Sequence, residues 1–91
     1  AYGKAVARSL RQKSFQLYAQ GQLDEAIDRF EEMESVYKKI GHKSGLVPVY
    51  FSLGLLYEEK GDTQKAKKFY NRVLTINSRH LQAKDRLNRL Q

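Results

Sequence analysis

The sequence predicts an all-α chain of five helices in antiparallel helix-turn-helix succession. Three observations predict it. Apolar side chains recur every three to four residues, the spacing of one face of a helix. No stretch keeps the strict alternation of a half-buried strand. Glycine falls mostly between the apolar runs, where it ends helices, with Gly54 the conspicuous exception.

The first helix is expected from Lys4 to Gln20, with Val6, Leu10, Leu17 and Tyr18 on its apolar stripe. Gly21 then fits the left-handed position that follows a helix end. In DEAIDRFEEMESVYKKI, residues Ala26, Ile27, Phe30, Met33, Val36, Tyr37 and Ile40 share one face. Asp24 opens this second helix and Lys38 and Lys39 close it, each suiting the helix dipole. GHKSG at 41–45 is expected as a loop. The third helix runs to Lys60, with Pro48 tolerated in or near its first turn. Gly61 ends it, and Asp62 or Thr63 caps a fourth helix to about Ile76. NSR at 77–79 is a break, and a shorter fifth helix carries Leu81, Leu87 and Leu90.

With 91 residues, 41% of them hydrophobic, the chain can build one thin core. It has no cysteine, and its charged N-terminal stretch lacks the apolar centre of a signal peptide or membrane span. A reducing, cytoplasmic setting is the expectation. The net charge of +7 is uneven: residues 24–37 carry six acids and one arginine, whereas residues 60–91 carry nine basic side chains against two acids.

Shifting the sequence by 40 residues aligns it with itself in size class. Ser14 falls on Gly54, Leu17 on Tyr57, Gly21 on Gly61, Ala26 on Ala66, Phe30 on Tyr70 and Met33 on Val73. A glycine inside a helix costs about 1 kcal/mol relative to alanine. The shift suggests what offsets that cost: Gly54 would face Ala66 at the closest crossing of two paired helices, as Ser14 would face Ala26.

Residues 47–80 resemble the tetratricopeptide repeat in Tyr50, Leu53-Gly54, Tyr57, Gly61-Asp62, Ala66 and Tyr70, departing at Val73 and Ser78. Residues 7–40 resemble it more loosely, in Leu10, Ser14, Leu17, Gly21, Ala26, Phe30 and Met33, with Lys13 departing. The last helix, about residues 80–91, is similar to the helix that closes such arrays. The resemblance implies a short α-α superhelix, or solenoid, whose first helices line a concave groove. In the family's phase the inward positions are Arg8, Arg11, Phe15 and Tyr18, then Pro48, Phe51, Leu55 and Glu58, then Gln82, Asp85 and Arg89. Phe51 and Leu55 have an alternative place, buried beneath the last helix.

The resemblance further implies a protein-interaction module that binds a peptide or helix of a partner. Phe15, Phe51 and Leu55 beside Arg8 and Arg11 suit an acidic-apolar ligand. The family's clamp for chaperone C-termini does not fit, because its lysine and two asparagines are replaced by Arg11, Phe15 and Ser52. Two rival readings differ in class. Lys65, Lys67, Lys68, Arg72 and their basic neighbours could hold nucleic acid, although no nucleic-acid motif is present. The acidic second helix could meet the basic fifth in a homodimer. No enzymatic motif, cofactor motif or metal-ligand spacing occurs. His42 and His80 stand alone in expected turns, and the acids of residues 24–34 are expected in solvent.

Overall fold

The computed structural model describes residues 2–90, with side chains described at residue 5 and from residue 8 onward. Five helices follow one another: α1 (Tyr2–Ala19), α2 (Leu23–Lys39), α3 (Lys43–Lys60), α4 (Thr63–Ile76) and α5 (Leu81–Leu90). Each packs against its neighbour in sequence. The extents of 40 × 30 × 16 Å leave room for two helix layers in the thin direction. Side-chain bridges identify the layers. Tyr18 of α1 reaches Glu59 of α3, and Arg86 of α5 reaches Glu58 of α3. Arg72 of α4 reaches Glu34 of α2. The odd-numbered helices therefore lie side by side, as do the two even-numbered ones. Val6, expected on the α1 stripe, lies outside the described side chains.

The turns after α1, α2 and α3 are the same turn, repeated every 20 residues at Gly21, Gly41 and Gly61, whose φ values are 76°, 69° and 84°. In each, the glycine N–H donates to the carbonyl three residues back and the next residue's N–H to the carbonyl five back. Thus Gln22, His42 and Asp62 donate to Leu17, Tyr37 and Tyr57. This is the Schellman closure, which satisfies carbonyls otherwise orphaned at a helix end. A left-handed φ costs an L side chain about 1 kcal/mol or more, which explains the glycine. Asp62 alone adds a side-chain cap, accepting from the Lys65 N–H at 3.2 Å.

The expected loop at 41–45 is thus only the turn around Gly41. Lys43, Ser44 and Gly45 already belong to α3. The 40-residue shift accordingly arises from long helices, 17 residues in α2 and 18 in α3 against 14 in α4, and not from a long loop. Pro48 becomes the sixth residue of α3, deeper than the first turn, and removes one backbone hydrogen bond. Both Pro48 and Ser44, whose carbonyl loses its partner, are exposed to water.

The core fills the space between the layers. Leu17, Ile27, Phe30 and Met33 are buried at the α1–α2 contact; Val49, Tyr50, Leu53 and Leu56 of α3 meet Ala66, Phe69, Tyr70 and Val73 of α4. Tyr57 and Phe69 stack with centroids 5.6 Å apart and planes 2° from parallel. Ser14 is wholly buried, donating to the Leu10 carbonyl at 2.6 Å and lying 3.9 Å from the Met33 sulfur.

The two glycines within α3 share a purpose. A Cβ on Gly54 would come under 3.0 Å from the ring of Tyr70, and one on Gly45 would come as close to the rings of Tyr37 and His42. Central α3 thus cedes space to a tyrosine of α2 at one end and a tyrosine of α4 further along. This corrects the expected contact: the nearest neighbour across from Gly54 is Tyr70, not Ala66.

The fifth helix buries Ala83 completely and lays Leu87 and Leu90 partly against the core. Leu81, expected on the apolar stripe, is instead 76% exposed. His80 is not an isolated surface histidine. Its Nδ1 accepts from the Ala83 N–H at 3.1 Å, capping α5, and its ring lies 5.2 Å from Phe51.

Candidate partner-binding surface

On α1, half-buried Leu10 with buried Ser14 and Leu17 leave a neighbouring stripe of exposed Arg8, Arg11 and Phe15 and half-buried Tyr18. Phe15 is 50% exposed, with one edge set against the buried ring of Phe30 at 5.6 Å. On α3, Phe51, Leu55 and Glu58 are half-buried beside the core stripe, and Glu59 is exposed. Phe51 packs on Tyr70 at 5.6 Å as well as on His80. It is therefore partly covered by the approach to α5, whereas Leu55 opens into a recess.

That recess, of about 250 Å³, is lined by Tyr18, Leu55, Glu58, Glu59 and Arg86. Its polar groups are interlocked. The Tyr18 hydroxyl donates to Glu59 Oε1 at 2.7 Å. The Tyr70 hydroxyl donates to Glu58 Oε1 at 2.5 Å, and Arg86 reaches Glu58 Oε2 at 3.4 Å. The bond to Glu59, with lesser burial, raises the Tyr18 hydroxyl above the usual tyrosine range. Burial, followed by the bond to Glu58, raises Tyr70. Both phenols stay neutral donors, which is what holding two carboxylates in place requires.

The other end of the surface has the opposite charge. Arg8 and Arg11, in the middle of α1, line a recess of about 190 Å³ with Tyr37 near the end of α2 and His42 at the start of α3. The surface is therefore polarised along its length: cationic at Arg8 and Arg11, apolar through Phe15 and Leu55, anionic at Glu58 and Glu59. The arginine pair and the apolar residues expected from the sequence lie along this surface, but Arg89 does not line the α5 end of it. Arg89 pairs with Asp85 at 3.1 Å on α5, and Arg86 takes the place by Glu58. Position counting misses Glu59 and Arg86. The only sequence signal for Arg86 is that it follows Asp85 by one residue, a rotation of about 100° on a helix.

The basic C-terminal third is partly neutralised. Lys60 pairs with Asp24, Arg72 with Glu34, Arg86 with Glu58 and Arg89 with Asp85. Lys65 sits over the Tyr57 ring, 5.3 Å from its centroid. Nor are all the acids of α2 in solvent. Glu34 has a side chain only 17% exposed and accepts from the Tyr50 hydroxyl at 2.7 Å. Among the described residues, no group of three or more His, Asp or Glu side chains is placed to hold a metal. No described helix is long and apolar enough to cross a membrane.

Antiparallel helix pairs joined by one recurring turn, stacked in two layers with an open stripe along the first helices, define a helical-repeat interaction scaffold. The tetratricopeptide repeat profile matches residues 5–89, and the chain belongs to that family. Its members generally mediate protein–protein interaction and are typically non-enzymatic scaffolds. No curated protein matches the chain.

Proposed function

We propose that the chain binds a peptide or helix of a partner protein along the surface formed by α1, α3 and α5. In this reading α1–α2 and α3–α4 are two repeats and α5 is the helix that closes them. The observation that carries it is the open α1 stripe, where half-exposed Phe15 lies between a cationic and an anionic recess. Phe15 and Leu55 supply apolar anchors. Arg8 and Arg11 select acids at one end of the ligand, while Glu58 and Glu59 favour a basic or neutral residue at the other. The charge gradient fixes the ligand's direction. Affinity is expected on the order of micromolar, because the surface is short.

The test is a nitrogen-15 NMR titration with a peptide selected from a random display library. Shifts at Phe15, Tyr18, Leu55 and Glu59, abolished by Leu55→Lys without loss of the thermal transition, support the reading. Shifts confined to residues 60–91 refute it. Single-stranded DNA titrated in parallel tests the rival: tight binding with a steep salt slope would favour nucleic acid.

A further inference from the structure

A larger recess lies on another side of α3. It encloses about 540 Å³ between Lys38 of α2, Lys43, Leu46 and Tyr50 of α3, and Arg72 and Ile76 of α4. Leu46 and Tyr50 are buried and form its floor, and Ile76, 36% exposed, stands at its edge. On α3 the stripe of Lys43, Leu46 and Tyr50 is rotated away from the stripe of Phe51, Leu55 and Glu58, so this recess is separate from the Leu55 recess, while a shallow depression along Tyr37, His42 and Lys43 leads from it towards Arg8 and Arg11.

Its charge is unbalanced. Lys38, Lys43 and Arg72 line it. The single carboxylate beneath them, Glu34, is shared by Lys38 at 3.3 Å and Arg72 at 3.7 Å. Lys43 makes no ion pair among the described residues. Three cations less one acid leave an excess of two positive charges over an apolar floor. Arg72 lies over two aromatic rings, 5.1 Å from the Phe69 ring centroid and 5.6 Å from that of Tyr50. A guanidinium fixed in this way loses little freedom on meeting a carboxylate and keeps most of its donors unused.

We propose that this recess takes an acidic segment of a partner protein, one bulky apolar side chain seated on Leu46 and Tyr50 between two flanking carboxylates. Lys43 meets one carboxylate, and Arg72 with Lys38 meets the other. The excess charge matches two acids, and the floor gives the apolar side chain a dry seat. This seat uses neither Phe15 nor the Leu55 recess of the α1–α3–α5 surface.

The probe is the capped tripeptide acetyl-Glu-Phe-Glu-amide, titrated into the nitrogen-15-labelled chain. Shifts are expected at Lys43, Leu46, Tyr50 and Ile76, saturating at a dissociation constant on the order of millimolar. Acetyl-Gln-Phe-Gln-amide and acetyl-Glu-Ala-Glu-amide should each bind about fivefold more weakly or worse. Lys43→Glu should weaken the acidic probe by a similar factor with the thermal midpoint unchanged, and Ile76→Ser should weaken both phenylalanine probes. Equal binding of the glutamine probe, shifts at Leu55 and Glu59 instead, or no movement in the recess at saturating probe would overturn the proposal. Tighter binding of acetyl-phenylalanine at the same residues would also overturn it, assigning the recess to a chain terminus.

Discussion

The ring of Tyr70 lies where a side chain on residue 54 would stand, under 3.0 Å from the Cβ that Gly54 lacks. Tyr70 cannot easily withdraw, being fully buried and held by its hydroxyl bond to Glu58. Helix propensity alone would make Gly54→Ala stabilising by about 1 kcal/mol. The contact reverses the sign: Gly54→Ala should destabilise by about 1–3 kcal/mol, and Gly54→Leu by more. A urea midpoint unchanged or raised in Gly54→Ala would refute the contact.

Among the described residues, Glu34 is the one acid of α2 with three partners, Tyr50, Lys38 and Arg72. Glu34→Ala strips the acceptor from a buried phenol and should cost about 1–3 kcal/mol. Glu34→Gln keeps an acceptor and should cost less. Urea melts of the two variants give the order; equal losses would mean that charge, not the hydrogen bond, is what matters.

Alkaline pH should unfold the protein in a definite window. Burial, followed by the bond to Glu34, pushes the Tyr50 hydroxyl up to about 12. An unfolded tyrosine ionises near pH 10. The contribution is therefore complete below about pH 10 and is lost as pH rises towards about 12, because the unfolded chain releases a proton that the folded chain keeps. The slope should approach about 1.4 kcal/mol per pH unit for each such tyrosine. Chemical denaturation at stepped pH should show a shallower slope in Tyr50→Phe; an identical slope would place the effect elsewhere.

Removing α5 tests its closing role. A chain ending at Ser78 loses Ala83, Leu87 and Leu90 from the core and the Arg86 partner of Glu58. The uncovered apolar face should lower the thermal midpoint and cause association visible by light scattering. A monomer of unchanged stability would show that α5 closes nothing.

The helices were legible in the sequence because their ends are written in local chemistry. Gly21, Gly41 and Gly61 each mark a left-handed turn, and the apolar period between them has one reading. What lay across the helices was less legible. A periodic shift shows that Gly54 sits on a packed face, but not that the long ring of Tyr70 reaches it before the methyl of Ala66 does. Charge counts make α2 a solvated acidic helix, because they cannot show that Glu34 turns towards Tyr50. Phase alone sets Arg8, Arg11 and Phe15 beside the buried stripe of α1, and Leu55 beside that of α3. On α5 the phase slipped, since its 10 residues span fewer than three turns and a one-residue error puts Asp85 where Arg86 stands.

Each helix packs most closely on the helices before and after it, with side-chain bridges linking α1 to α3, α3 to α5 and α2 to α4, so the molecule is a short row of interfaces. Such an object does not have to come apart all at once: its ends can open while the middle holds. Damage at α1 or α5 touches one end, but α3 packs on α2 and α4 and is bridged to α1 and α5, and both its internal glycines lie in its contacts with α2 and α4. Amide exchange should therefore be slowest in α3, and a partner that grips α1 or α5 would act as a brace, stiffening the ends that open first.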